Sequence, residues 1–128
     1  MEFSNLVNMA NAAIKSNKIR EAIKLFDDAL KLNPTSFEVC SKLGSLSFQV
    51  GDIDNSINYF KKTLLLDPKS SLGYSNLGLI YSKLNNQDIA LENYLKAYEI
   101  DPKNFTANYN LANHFFSNND DKNAEKYY

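Results

Sequence analysis

Tryptophan is missing from this 128-residue chain, cysteine occurs once, proline three times and glycine four times. The lone Cys40 cannot close an internal disulfide, and no CxxC or His/Cys cluster offers a zinc or other metal site. Charge of one sign is not in excess either, since 14 Lys+Arg stand against 15 Asp+Glu for a net charge of −1. Nucleic acids and anionic membranes select basic surfaces, so neither is an expected partner. Apolar runs are short, Leu64, Leu65 and Leu66 being typical, and fall far below the roughly 18 residues of a membrane span. The N-terminus has no basic segment followed by a continuous apolar one, so it does not read as a signal peptide. Together these absences point to a cytoplasmic location. What is present is 44% hydrophobic residues, enough for a real core, in a length that suits one domain over residues 1–128. Lysine outnumbers arginine thirteen to one and asparagine occurs eighteen times, a compositional skew with no functional content of its own.

The three prolines, Pro34, Pro68 and Pro102, lie 34 residues apart. Each follows Asn or Asp (Asn33, Asp67, Asp101), and an aliphatic residue stands one step earlier (Leu32, Leu66, Ile100). At the same period run Met9, Leu43, Leu77, Leu111; then Ala10, Gly44, Gly78, Ala112; then Ala22, Ser56, Ala90, Ala124; then Phe26, Phe60, Tyr94, Tyr128; then Ala29, Thr63, Ala97. Several columns in one phase mark a stacked repeat. Within a unit, apolar residues step by three and four (Ile19, Ala22, Ile23, Phe26, Ala29, Leu30), the spacing of one helical face. Asn17-Lys18, Gly51-Asp52, Asn85-Asn86 and Asn119-Asp120 interrupt that pattern with turn residues. Asp52, Asn86 and Asp120 are suited to cap the second helix, whereas Lys18 is not. Proline then ends that helix, and Ser36, Ser70 and Asn104 cap the next one. Each unit thus reads as helix, tight turn, helix, short proline loop. Small columns beside large rings allow close helix approach, and no unit can bury its stripe without a neighbour.

The run Tyr74-Ser-Asn-Leu-Gly-Leu-Ile-Tyr81, with Ala90, Tyr94, Ala97 and Asp101-Pro102, closely resembles the tetratricopeptide repeat (TPR). Repeats fall at about 3–36, 37–70, 71–104 and a truncated 105–128. Repeat 2 departs from the pattern at Cys40, Ser47, Ser56 and Thr63, and repeat 1 at Ala10 and Ala13. The resemblance implies an all-α superhelical solenoid of about seven antiparallel-paired helices. It further implies a concave groove, lined by the first helices, that binds peptides or partner proteins. Repeat 4 stops at Tyr128, before the equivalents of Ala97 and Pro102, so its second helix is cut short. Leu111, Phe115 and Tyr127 are then expected to be partly uncovered. Either the chain belongs to a longer array or it completes itself against another copy, a homo-oligomer through the uncapped C-terminal end.

Residues expected on the inner face recur by three and four. In repeat 1 these are Val7, Asn8, Asn11, Ile14 and Lys15, and in repeat 2 Ser41, Lys42, Ser45, Phe48 and Gln49. Repeat 3 supplies Ser75, Asn76, Leu79, Ser82 and Lys83, and repeat 4 Tyr109, Asn110, Asn113, Phe116 and Ser117. The ligand-facing set is taken as Asn8, Asn11, Lys42, Ser45, Asn76, Leu79, Asn110 and Asn113. One column reads Asn8, Lys42, Asn76, Asn110. An asparagine carries a donor and an acceptor on one short side chain, so a row of them can hold an extended peptide backbone, at about 0.5–1.5 kcal/mol net per bond. The row resembles the inner asparagines of the O-GlcNAc transferase superhelix. Compositional bias towards Asn explains it equally well, and Lys42 breaks it, either pairing with an acidic ligand side chain or standing solvated. The carboxylate clamp of chaperone-binding TPRs is not matched, because Val7, Leu72 and Asn76, or Ser41, Thr106 and Asn110 in the other register, stand where basic residues are needed.

His114, the sole histidine, has no carboxylate, thiol or nucleophile at useful spacing and reads as half-buried and structural. Cys40 falls in a packing column and reads as a small buried thiol. Asp27-Asp28 and Asp120-Asp121 point adjacent carboxylates in different directions on the solvated surface. Charge by repeat runs +2, 0, −1 and −1, too shallow to steer a polyanion. No active site, cofactor site or metal site assembles, and a non-enzymatic module for protein or peptide partners is expected. The alternatives are the substrate-recruiting segment of a larger enzyme, such as an O-GlcNAc-type glycosyltransferase, and a self-association module.

Overall fold

The computed structural model describes residues 2–127. Two compact units divide the chain, Met1–Pro68 and Lys69–Tyr128, and each holds two antiparallel helix pairs. The first unit comprises α1 (Phe3–Lys15), α2 (Ile19–Leu32), α3 (Phe37–Gln49) and α4 (Ile53–Leu66). The second comprises α5 (Ser71–Lys83), α6 (Gln87–Ile100), α7 (Phe105–Ser117) and α8 (Asp121–Tyr127). Among the described residues there are eight helices and no strand, one helix more than the seven expected. The extra element is the short α8, which forms because Asp120 caps it: its side chain accepts from Asn123 N–H at 3.3 Å.

The turn inside every pair is built the same way. Asn17, Gly51, Asn85 and Asn119 take positive φ (59°, 85°, 61° and 58°), the left-handed conformation that glycine and asparagine reach most readily. The next residue's N–H then bonds the carbonyl five positions back: Lys18 to Ala13, Asp52 to Ser47, Asn86 to Tyr81 and Asp120 to Phe115, at 2.8–2.9 Å. This Schellman arrangement satisfies carbonyls that the helix end leaves open. The four reverse turns therefore come from four residues spaced 34 apart in sequence. After each turn Asp52 and Asn86 cap α4 and α6 by accepting from Asn55 and Ile89 N–H, whereas Lys18 makes no side-chain cap bond to α2. Ser36, Ser70 and Asn104 cap α3, α5 and α7 in the same manner. Each second helix ends at Asn33, Asp67 or Asp101 with φ near −140°, the extended backbone that a following proline demands.

Packing follows the small-against-large columns. In the first unit Ala10, Ala22 and Phe26 are fully buried in a cluster with Leu30, Val39, Cys40 and Leu43. The Phe60 ring lies so close over Gly44 that a Cβ there would sit 2.8 Å from it, and Ser56 Oγ donates to Gly44 O at 2.7 Å across the same seam. In the second unit Tyr94 covers Gly78 more tightly still, at 2.5 Å from such a Cβ, and Ala90, Ala97, Ala107, Leu111, Ala112 and Tyr127 complete the cluster. Two expectations are corrected. Leu111 and Tyr127 are buried, because Tyr127 meets Tyr98 edge-on at 5.0 Å and stacks on Phe115 at 5.7 Å; only Phe115 remains half-buried. Met9, in the column of buried Leu43 and Leu111, is 45% exposed, since no described helix does for α1 what α2 does for α3 and α6 for α7.

Candidate interaction face and cleft

The first helix of each pair keeps its small and apolar stripe inside and turns a polar face away from it. On α1, Asn8 is exposed and Asn11 half-buried; on α3, Lys42 and Ser45 are both exposed. On α5, Asn76 and Leu79 are half-buried, and Leu79 packs against the apolar cluster of its unit. Ser75, expected on the inner face, is buried instead: its hydroxyl donates to Leu72 O at 3.1 Å and accepts from Asn104 Nδ2 at 3.3 Å, so it ties α5 to the start of α7. On α7, Asn110 and Asn113 are half-buried, while Phe105, Tyr109 and Phe116 form an exposed aromatic stripe, with Phe105 stacked on Tyr109 at 5.9 Å. Asn110 Nδ2 donates to Thr106 O at 2.7 Å. One amide proton of this asparagine is therefore held by its own helix, while the carbonyl oxygen is left as an acceptor.

The second unit contains a cleft of about 470 Å³ where the end of α5 (Ser82), the start and middle of α6 (Gln87, Leu91, Tyr94) and the last turns of α7 (Asn110, Asn113, His114, Ser117, Asn118) converge. Asn110 and Asn113 of the expected set stand in its wall; Asn76 and Leu79 do not. No lysine, arginine, aspartate or glutamate lines it. Asn118 Nδ2 donates to His114 O at 2.8 Å, which, as at Asn110, leaves the side-chain carbonyl as an acceptor. His114 is half-buried as expected, meets Phe115 edge-on at 5.1 Å and borders the cleft. Tyr94 is 4% exposed and its hydroxyl has no hydrogen-bond partner. Loss of solvation pushes the phenol up to about 12, so it is a neutral donor at any ordinary pH. Sequence reasoning assigned Tyr94 to packing alone, whereas Ser82 and Ser117, both read on the inner face, stand in the cleft wall. For Tyr94 the available signal was the hydroxyl itself, in a column where Phe26 and Phe60 have none.

In the first unit a smaller pocket of about 150 Å³ lies among Arg20, Ile23, Ser47, Asp52 and Tyr59. Tyr59 donates to Asp27 Oδ1 at 3.5 Å, and burial first, then the Asp27 carboxylate, pushes its phenol up. Cys40 is fully buried as expected; burial raises its thiol, and nearby Lys62 only partly opposes that. Among the described residues no group of His, Cys, Asp or Glu could hold a metal ion, and no helix is long and apolar enough to cross a membrane.

Helix pairs capped and closed this way, repeating every 34 residues, define a tetratricopeptide repeat fold. Sequence models of the tetratricopeptide repeat match residues 4–36, 37–70 and 71–104, and the chain belongs to that family. Among solved structures, MamA is similar with a TM-score of 0.86 and 23% identity, over 98% of this chain and 73% of that one. MamA from Desulfovibrio magneticus RS-1 (residues 41 to the end) is similar with a TM-score of 0.84 and 21% identity, over 98% of this chain and 71% of that one. YrrB, described as a TPR protein with an unusual peptide-binding site, is similar with a TM-score of 0.79 and 22% identity. That match takes in 84% of this chain and 55% of YrrB. No curated protein matches in sequence.

Proposed function

We propose that this protein is a non-catalytic interaction module that binds an extended peptide, or an extended segment of a partner protein, along the first helices of its repeats. The observation that carries the reading is the polar face of those helices. Packing consumes most of their small and apolar residues, with Phe105, Tyr109 and Phe116 as exceptions, and leaves Asn8, Lys42 and Ser45 exposed and Asn76 and Asn110 half-buried, at one repeating position and its neighbour. Within each unit, a chain laid across the two first helices meets donors and acceptors one repeat apart, each contributing about 0.5–1.5 kcal/mol net, so several must act together. The family and the peptide-binding site ascribed to YrrB agree with this role.

The test is capture of partners by the purified protein and by its Asn76→Ala/Asn110→Ala variant. Both positions are half-buried on the helix surface, so helical content should be unchanged while captured partner weakens by about tenfold for two lost bonds. Equal capture by the folded variant would remove the asparagines from the binding face.

A further inference from the structure

Three rings on α7 are not used by the packing of their unit. Phe105, Tyr109 and Phe116 are 78%, 52% and 62% exposed, and none is part of the buried cluster. At 100° per residue they fall within about 40° of one another around the helix, so they form one stripe. Folding does not require apolar side chains at these places, because α5, one repeat earlier, holds Ser71, Ser75 and Ser82 there. On α1 the corresponding Phe3, Val7 and Ile14 are apolar, but they pack against the core of the first unit. The stripe also lies in the longest uncharged stretch of the chain, since residues 104–119 include no Asp, Glu, Lys or Arg. The neighbouring α5, which touches α7 in the same unit, carries only Lys83, in its last turn. A charged ligand side chain brought onto the stripe would lose water and meet no counter-ion on α7.

Spacing narrows the ligand further. Phe105 and Tyr109 stack at 5.9 Å with their planes 17° apart, which makes them one station. Phe116 is the second, seven residues beyond Tyr109 and so about 10.5 Å further along the axis. Polyproline II brings every third residue back to the same side after about 9.3 Å. Alternate residues of a β-strand return after about 6.8 Å, so neither one step nor two reaches from station to station. A partner α-helix can match the 10.5 Å step, but its carbonyls are already bonded within it. Polyproline II leaves its carbonyls open, and the exposed Tyr109 and Ser117 beside the stripe carry hydroxyls that can donate to them. Three rings offer little area, which favours a ligand already ordered before it binds, as proline makes it. We propose that the α7 stripe docks an uncharged, proline-rich segment in polyproline II form, with one proline on the Phe105–Tyr109 pair and another, three residues along, on Phe116. This rests on the peptide-binding reading above and names the kind of segment that meets the second unit.

The experiment is an NMR titration of the ¹⁵N-labelled full chain with a capped peptide of three Pro-Pro-Ala triplets. Its counterparts are three Pro-Pro-Glu triplets and an amphipathic helical peptide of leucine, glutamine and alanine. The Pro-Pro-Ala peptide should produce saturable shifts at the backbone amides of Tyr109, Asn113 and Phe116, and the other two should bind more weakly. Tyr109→Ser and Phe116→Ser install the residue type that α5 has at these places, so the melting temperature should be unchanged. Each should weaken the Pro-Pro-Ala peptide about five- to thirtyfold, as truncation of an anchoring ring does. Absence of saturable shifts, equal or tighter binding of either other peptide, or undiminished binding by the folded variants overturns the proposal. Comparison of the three peptides on the unaltered protein decides the matter even if a variant folds poorly. Light scattering without peptide should give the mass of one chain at every concentration; a mass that rises with concentration in the parent but not in Phe116→Ser puts a second copy on the stripe and overturns the proposal. Partner capture that is lost in Asn76→Ala/Asn110→Ala, with no binding of the Pro-Pro-Ala peptide, removes the proline segment and leaves the binding face. Selective binding of that peptide on the stripe, with no effect of the asparagine changes on capture, does the reverse.

Discussion

Replacing Gly78 with alanine sets two effects of known size against each other. Gly78 lies inside α5, where alanine is favoured over glycine by about 1 kcal/mol because it restricts the unfolded chain. The added Cβ would stand 2.5 Å from Tyr94 Cε1, 2.7 Å from Cδ1 and 3.0 Å from Cζ. Carbon atoms in contact prefer about 3.5–4.0 Å, so the ring must retreat by roughly 1 Å. It is 4% exposed and packed within the cluster of α6 and α7, so retreat displaces its neighbours. Overpacking of that kind costs about 1–3 kcal/mol, which leaves Gly78→Ala destabilising by about 1 kcal/mol net. Gly44→Ala meets Phe60 at 2.8 Å, a shallower overlap, and should cost less. The measurement is the urea midpoint at unchanged slope. Tyr94→Leu should relieve the clash, so the double variant should be more stable than the two single losses predict, with a coupling of about 0.5–3 kcal/mol. Ala10 shows that alanine can face a buried ring when the helix pair is set for it, since Ala10 and Phe26 are both fully buried. A Gly78→Ala protein more stable than the parent would refute the view that ring contact sets this helix spacing.

Lys18→Asp should stabilise α2 by about 0.5–1 kcal/mol, because Asp52 holds the same position, with nearly the same backbone angles, and caps its helix where Lys18 does not; thermal unfolding should show a higher midpoint, and no rise would mean that capping does not limit this helix. Tyr94 makes the protein sensitive to alkali. Its phenol ionises near 10 in the unfolded chain and near 12 in the folded one, so the unfolded state releases its proton first. The native state then binds more protons, and stability falls as pH rises from about 10 to about 12. Urea midpoints followed to high pH should fall less steeply in Tyr94→Phe, with a residual slope from Tyr59, whose phenol is also pushed up.

Much of the architecture was legible because it depends on local chemistry. The left-handed Asn and Gly residues, the Ser, Asp and Asn caps and the proline stops act within five residues of their own position, so their spacing could be read directly. Burial depends on what lies opposite, which no local pattern records. Met9 and Leu43 occupy one column, yet one is exposed and the other buried, because α2 covers α3 and no described helix does the same for α1. Leu111 and Tyr127 were expected at an open end, but a seven-residue α8 was enough to bring Tyr127 against Tyr98 and Phe115. The asparagine column was visible as a period, whereas the bond from Asn110 to Thr106 O depends on a rotamer set in the folded helix.

What the amino-acid order determined by itself was the repeat: a 34-residue helix pair with its turns, caps and stops, and the column in which a ring faces a small residue. The tertiary structure alone decided that the Tyr94 hydroxyl, one atom beyond what packing needs, is buried without a partner beside a cleft shared by α5, α6 and α7. The physical reason is that hydrogen bonds within a turn follow from neighbours in the chain, while the partner of a buried side-chain group depends on which other helices reach it.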